Sequence, residues 1–263
     1  MVANVSIVGW ETYEALLRYP VSHPEVTEAM AARGLPVGEP EGGWRLGHTS
    51  SWARWGPRGN LLEPITARSK EEFQSLPPMT TSIMFFGLNW GGESPPVHGQ
   101  DWENFHAHGH RGDTSLARAF AEATDQTGFA AASYMTDVFK LLPTKSAASL
   151  DATVRSEEKA GRDPVGRCVE IIRHEFSVCK AANDGRNPVI VGIGGAAYRW
   201  LAGRQRTEGR PPWPSRVSEA MSELLQDDAA AAVRWAPHYT FGSAKHVDRV
   251  AAISSILREA EYM

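Results

Sequence analysis

The stretch "SIMFFGLNWGGES", residues 82–94, joins an apolar run to a glycine-rich loop. The first half is a nearly continuous apolar segment of strand length, which predicts a strand buried on both faces. The second half places Asn89 between Gly87 and Gly91. Glycine lets the backbone approach a ligand closely, and an asparagine amide both donates and accepts hydrogen bonds. The loop therefore predicts either an Asn89 that contacts a ligand or one that only bonds its own turn.

Other apolar segments of strand length alternate with helical patterns downstream. Strands are predicted at 131–139, 188–194 and 230–237, and helices at 113–128, 163–185, 215–227 and 244–262. Near-continuous apolar strands that alternate with helices favour a parallel sheet covered on both faces. We therefore predict an α/β fold of three layers, in which helices flank a central four-stranded parallel sheet. Ligands in such folds bind outside the carboxyl ends of the strands, so the four strand exits are the candidate site.

The first third of the chain is less regular. Short helices are predicted near 11–18 and 23–33, and a Gly/Pro-rich stretch with three tryptophans follows at 34–60. The chain has 263 residues, a length that fits one large α/β domain. We predict a single domain, with residues 1–76 as an N-terminal elaboration and residues 77–263 as the core.

The composition of the chain limits the cell compartment and the binding partners that we expect. No apolar run is long enough to cross a bilayer and the N-terminus lacks a signal-peptide pattern, so we expect a cytoplasmic protein without a membrane partner. Cys168 and Cys179 lie in one predicted helix, roughly 16 Å apart along its axis, too far for a disulfide, and are predicted to be buried thiols. The net charge of −4 does not favour nucleic-acid binding. The arginine-rich segment 199–216 is either a local basic face or a solvated helix end, and the oligomeric state is open.

Two further exits carry polar side chains. Thr136, Asp137 and Lys140 lie at the end of the second predicted strand, and His238 lies just past the fourth. Buried polar groups need partners, which a substrate can provide. A histidine at this place either donates a hydrogen bond to a developing anion or serves the structure alone.

Three exit segments, "GLNWGG", "YMTDVFKLLPT" and "APHYTFGSAK", occur in this order on the four-strand pattern. Together they resemble motifs of the uracil-DNA glycosylase superfamily over roughly residues 80–260. The first segment is similar to the Gly-x-Asn-Pro-Gly loop of the mismatch-specific thymine/uracil branch, and the last is similar to the histidine-containing loop before the final helix. Trp90 stands where that branch has proline, and His238 is followed by tyrosine.

The resemblance implies a uracil-DNA glycosylase-like fold and a monofunctional hydrolase without a cofactor. Its partner would be DNA, from which it would remove a flipped-out damaged or deaminated base such as uracil. Asn89 would position the water, His238 would stabilise the departing base, and Phe105 would stack on it. The remaining roles that it implies are substrate binding by Gly87, Leu88, Trp90, Gly91, Thr136, Asp137 and Lys140, and contact with the DNA backbone by Tyr239, Ser243 and Lys245.

Two alternatives stay open. The segment "FHAHGHRGD" alternates His106, His108 and His110, and imidazoles suit zinc, so one alternative is a metal-dependent hydrolase. The same pocket would also serve a protein that binds a nucleobase, a nucleotide or nucleic acid without cleaving it, because a fold does not fix a function. The glycines of "GIGGAA" (192–197) lack full nucleotide-loop spacing and indicate close packing of a strand against a helix.

Overall fold

The structure is a computed structural model. It describes residues 6–21, 43–55, 65–89, 101–106, 111–140, 142, 144, 146–204, 212–239 and 244–261. The predicted helix at 23–33 lies outside these residues. In chain order the elements are α1 (Trp10–Arg18), α2 (Leu46–Thr49), β1 (Ser51–Ala53), α3 (Lys70–Gln74), β2 (Met79–Gly87), α4 (Arg111–Thr127), β3 (Ala132–Asp137), α5 (Ala147–Lys159), α6 (Pro164–Ala182), β4 (Val189–Ile193), α7 (Gly194–Ala202), α8 (Arg216–Leu225), α9 (Ala229–Ala232), β5 (Arg234–Ala236) and α10 (His246–Glu261).

The strands form one mixed sheet in the order β1-β3-β2-β4-β5. Strands β2 to β5 are parallel to their neighbours, whereas β1 pairs antiparallel with β3 and sets Trp52 opposite Tyr134. The predicted α/β fold is confirmed. The prediction of a four-stranded sheet was incomplete, because a fifth strand forms within the tryptophan-containing segment that has the pattern of a loop.

Strand β5 is also shorter than predicted. The first part of the predicted strand 230–237 forms the short helix α9. The carboxylate of Asp228 accepts a hydrogen bond from the backbone N–H of Ala230, which caps this helix. Alanine favours a helix over a strand, so the cap and the alanine run together delay the strand to Arg234.

Helices cover both faces of the sheet. Side chains of β2 alternate between two apolar clusters: Ile83 and Phe85 face one, and Met84 and Phe86 face the other. This alternation is the period of a strand, and burial on both sides explains the unbroken apolar run. Tyr13 of α1 belongs to the same cluster as Met84 and Phe86, so the N-terminal segment contributes to the core of the sheet.

Two features predicted for the whole chain can be located on this framework. Cys168 and Cys179 are both buried in α6 as free thiols, as predicted. Across the described parts of the chain, every helix is too short or too polar to cross a membrane.

Candidate active site

The carboxyl ends of four strands meet at one edge of the sheet because those strands are parallel. Gly87 ends β2 and Asp137 ends β3, and the two are partners in the register of the sheet. Gly194 follows β4 directly, and His238 lies two residues after β5. The sheet therefore brings three of the predicted exits and the glycine after β4 to one edge.

Gly87 leaves room for two neighbouring side chains. A Cβ atom at this position would lie 2.3 Å from Oδ1 of Asp137 and 3.0 Å from two ring atoms of Phe105. Phe105 has a positive φ of 68°, and its ring lies against the end of β2 at Gly87. Any side chain at position 87 would displace the Asp137 carboxyl or the Phe105 ring.

Two further rings extend this contact towards β5. The Phe105 ring meets the Tyr239 ring edge-on at 6.5 Å, and Tyr239 stacks on His238 with ring centroids 4.5 Å apart. A Cβ atom on Gly194 would lie 2.6 Å from Cδ2 of His238. Gly194 also has a φ of +86°, which glycine adopts without strain, so both the space and the backbone conformation require a glycine there. We call Gly87, Phe105, Asp137, Gly194, His238 and Tyr239 the exit cluster.

The Asn89 side chain connects the first exit to the second. Its Nδ2 atom donates hydrogen bonds to the carbonyl oxygen of Leu142 at 2.7 Å and to Oγ1 of Thr144 at 3.0 Å. Just before it, the backbone carbonyls of Gly87 and Leu88 accept hydrogen bonds from residues 138 and 139. These contacts hold the Asn89 amide against the loop that follows β3.

Asp137 is a buried acid whose two oxygens have different surroundings. Oδ2 accepts a hydrogen bond from Nδ2 of Asn104 at 2.9 Å, whereas Oδ1 has no hydrogen-bond partner among the described residues. Burial raises the pKa of Asp137 to about 7, although the Asn104 hydrogen bond and the Lys140 charge act in the opposite direction. Glu175 and Asp113 add to the increase. The carboxyl group is therefore poised between its two protonation states near neutral pH.

This raised pKa predicts a pH-dependent stability. Unfolded, the Asp137 carboxyl ionises near pH 3.9, whereas in the fold its pKa is about 7. Between these values the native state holds a proton that the unfolded state has lost, so stability falls as pH rises through this window. We therefore expect the thermal unfolding temperature of Asp137→Asn to rise relative to that of wild type between pH 4 and pH 7. Above pH 7 the difference between the two temperatures should stay constant. An Asp125→Asn control, altered at an exposed carboxyl, should show no such growth, and parallel curves for Asp137→Asn would contradict the buried acid.

A buried polar network supports the end of β3. The Lys140 ammonium donates to the backbone carbonyl of Asp137 and to Oε2 of Glu175, the latter at 3.1 Å. Thr136 and Tyr134 donate to Oε1 of Glu175 at 2.7 and 2.8 Å. Glu175 and Lys140 are 0% and 2% exposed. These contacts fix the strand end, and the predicted substrate contacts of Thr136 and Lys140 stay predictions.

The His238 imidazole is neutral near neutral pH. Burial lowers its pKa, and the positive charge of Arg249 lowers it further. Burial raises the pKa of Tyr239 far above its usual range, and the charges of Asp137 and Asp113 contribute. A neutral imidazole carries one N–H group, so His238 is able to donate a hydrogen bond without being protonated.

Several predicted residues lie elsewhere or outside the described residues. Leu88 is half-buried and packs against the core, and Lys245 is exposed just before α10. The predicted roles of Trp90, Gly91 and Ser243 concern residues outside the described ranges.

The histidine segment gives no support to the metal alternative where it is described. His106 is buried and stacks on Trp55 with ring centroids 5.2 Å apart. Within the described ranges no three histidine, cysteine, aspartate or glutamate side chains converge as metal ligands. His108 and His110 lie outside these ranges, so that part of the prediction stays a prediction.

Two of the described arginines of the basic segment form ion pairs with aspartates of the same chain. Arg199 pairs with Asp151 at 2.6 Å and lies over the Trp213 ring at 4.3 Å. Arg216 pairs with Asp163 at 2.6 Å. These pairs neutralise charges that a continuous basic face would need.

The roles of three residues near the site, Gly194, Asn104 and Glu175, were not predicted from the sequence. The sequence predicts that the glycines at 192–197 allow close packing of a strand against a helix. This fits Gly192, where a Cβ atom would lie 2.7 Å from the Tyr198 backbone. Gly194 instead makes room for the His238 side chain. Asn104 and Glu175 come close to Asp137 only through the tertiary fold. Asn104 carries no local signal for its role.

The chain was also compared with known proteins. No protein-family model, no curated protein and no solved structure matches it.

Proposed function

We propose that this protein is a uracil-DNA glycosylase-like hydrolase, which cleaves the N-glycosidic bond of a flipped-out damaged or deaminated base. One observation carries the proposal: the exit cluster joins a neutral histidine, an aromatic ring and a buried acid at the carboxyl edge of a parallel sheet. Such an edge is where open α/β sheets bind ligands. A base excised from DNA needs a ring to stack on and polar groups to read its edge.

The chemistry assigns a role to each side chain. Cleavage develops positive charge on the sugar and negative charge on the departing base. His238, neutral and half-buried, would donate a hydrogen bond to the base oxygen where the negative charge develops. Asn89, held by Leu142 and Thr144, would position the water that attacks the sugar. Phe105 would supply the stacking surface, and no metal or cofactor takes part in this scheme.

A non-catalytic alternative also has an observation in its favour. The net charge is −4, and Arg199 and Arg216 are already paired with Asp151 and Asp163. Tight binding to duplex DNA depends on unpaired cations that face the phosphates. A protein that binds a nucleobase or a nucleotide, with the same residues in recognition roles, needs no such face.

An oligonucleotide panel distinguishes the two functions. Single- and double-stranded DNA containing uracil, hypoxanthine or a mismatch is incubated with protein and then treated with alkali, which breaks the strand at abasic sites. We expect cleavage at one of the modified positions, and none with a mock preparation from cells that lack the gene. Saturable binding of a base or nucleotide, with no abasic sites on any substrate, would contradict the glycosylase function and support the binding function.

A further inference from the structure

A short segment, residues 101–106, lies between the N-terminal elaboration and the exit cluster. Side chains of this segment reach the ends of the strands. Nδ2 of Asn104 donates to Oδ2 of Asp137 at 2.9 Å. The Phe105 ring lies against Gly87 at the end of β2. The position of this ring therefore depends on the contacts that hold the segment.

The backbone of the segment is strained at two residues. Trp102 has a φ of 67° and Phe105 a φ of 68°, in the left-handed region that residues other than glycine rarely adopt. This conformation costs free energy and persists only where the surrounding contacts hold it. The segment therefore needs contacts from outside itself to keep the Phe105 ring against β2.

Side chains of the N-terminal elaboration hold both ends of the segment. At its start, the Arg45 guanidinium donates from Nε to Oδ1 of Asp101 at 3.2 Å and from Nη2 to Oδ2 at 3.3 Å. At its end, His106 stacks on Trp55 with ring centroids 5.2 Å apart. A bidentate pair of an arginine and a carboxylate fixes orientation as well as distance, so the Arg45–Asp101 pair is the contact that defines the path of the segment most closely.

Two backbone carbonyls of the N-terminal elaboration complete the attachment. The carbonyl of Gly47 accepts a hydrogen bond from the backbone N–H of Trp102, and the carbonyl of Thr49 accepts one from Nδ2 of Asn104 at 2.8 Å. A Cβ atom on Gly47 would lie 2.9 Å from Oδ1 of Asp101, so the two parts of the chain are in close contact. The N-terminal elaboration therefore holds the segment through its backbone as well as through side chains.

We propose that Arg45 and Asp101 are positioning residues, which keep the Phe105 ring in the place where a flat base stacks on it. This inference rests on the proposed function, in which Phe105 supplies the stacking surface, and it gives the N-terminal elaboration a part in ligand binding. Without the ion pair, the segment relaxes from its strained conformation and the ring leaves the end of β2 for part of the time. Base binding then weakens, whereas Asn89 and His238 keep their places because residues outside the segment hold them.

The kinetics separate these positioning residues from the catalytic ones. Stacking binds the base equally before and during bond cleavage, so its loss should raise KM and leave kcat near the wild-type value. For Asp101→Ala we expect the Kd for free uracil and hypoxanthine, measured by NMR titration, to rise by about fivefold or more, as for weakened stacking on an aromatic ring. The KM for the oligonucleotide that is cleaved in the panel should rise by a similar factor.

Two further variants keep the result interpretable. In Arg45→Lys the positive charge remains, but lysine cannot donate to both carboxylate oxygens in the fixed geometry of arginine. Arg45→Lys should therefore raise Kd by a smaller factor than Asp101→Ala, and it takes the place of that variant if Asp101→Ala does not fold. Glu11→Ala is the matched control, because it breaks a 3.3 Å ion pair with Lys70 between α1 and α3 of the N-terminal elaboration. It should keep the wild-type Kd.

A double-mutant cycle shows whether Asp101 acts through Phe105. Phe105→Ala removes the ring, so Asp101→Ala should add no further loss of affinity in that background. Losses that add up in the double variant, or an unchanged Kd in both Asp101→Ala and Arg45→Lys, would overturn the proposal. Wild-type protein that binds neither free base nor any oligonucleotide of the panel would overturn it too.

Hydrogen–deuterium exchange makes the two proposals fail separately, because it needs no ligand. The Trp102 N–H, bonded to the Gly47 carbonyl, should exchange faster in Asp101→Ala than in wild type or in Glu11→Ala. Faster exchange and weaker base binding, without abasic sites from the wild-type protein, would keep the positioning role and remove the glycosylase activity. Abasic sites together with an unchanged KM in Asp101→Ala would keep the activity and remove the positioning role.

Discussion

Glu175→Gln should lower the free energy of unfolding by about 3–5 kcal/mol, because it leaves a buried ammonium without its counter-charge. The Lys140 ammonium lies 3.1 Å from Glu175 in a place closed to water. Tyr134 and Thr136 can still donate to the glutamine oxygen, but the glutamine NH₂ group then faces the Lys140 ammonium, so the loss arises from the missing charge and the missing acceptor. For a chain of this size the thermal unfolding midpoint should fall on the order of 10 °C.

The double variant Lys140→Met/Glu175→Gln is the matched control. It removes both charges together, so most of the stability lost in Glu175→Gln should return, as it does when buried ion pairs are replaced as a unit. Denaturant unfolding of wild type, both single variants and the double variant gives the interaction energy. Additive losses from the two single changes would show that the buried pair is not coupled.

His238→Ala and Asn89→Ala should have the largest effects on catalysis. Without the His238 donor, the rate of base removal should fall about a hundredfold or more, since the lost hydrogen bond acts on charge that develops in the transition state. Asn89→Ala should abolish abasic-site formation, because the attacking water is then no longer positioned. The loss should appear in kcat with little change in KM, as expected for interactions made in the transition state.

A second half-buried histidine provides the control. His174 does not belong to the exit cluster: it stacks on Tyr19 with ring centroids 3.6 Å apart, and its pKa is also lowered by burial. His174→Ala should therefore keep the wild-type rate per folded molecule. Equal losses in His174→Ala and His238→Ala would point to a general effect on folding and would remove His238 from the mechanism.

The sequence predicted the parts of the fold that local pattern determines. The apolar run of β2 was visible because both of its faces are buried, and the exits of β2 and β3 were expected at one edge because parallel strands end together. Strand β1 was missed because three residues, Ser51–Ala53, are too few for a periodic signal. The helix Ala147–Lys159 was also missed, although Ser146 accepts a hydrogen bond from the backbone of Ser149 as its N-cap.

The details of the site depend on contacts between distant parts of the chain. The pairing of Lys140 with Glu175, and of Asp137 with Asn104, follows from the packing of α6 and of the Asn104 loop against β3. Neither pairing can be predicted from the neighbouring residues in the sequence. The positive φ of Phe105 is equally invisible, since phenylalanine is not a residue type that favours it.

Release of the free base tests the central claim most directly. An excess of protein is incubated with each modified oligonucleotide of the panel for a single turnover, and mass spectrometry then counts the free base and the abasic strand. Hydrolysis of the N-glycosidic bond predicts one free base for each abasic site with the wild-type protein and neither product with Asn89→Ala. Intact oligonucleotides throughout, with wild-type protein that is folded and binds a base, would contradict it.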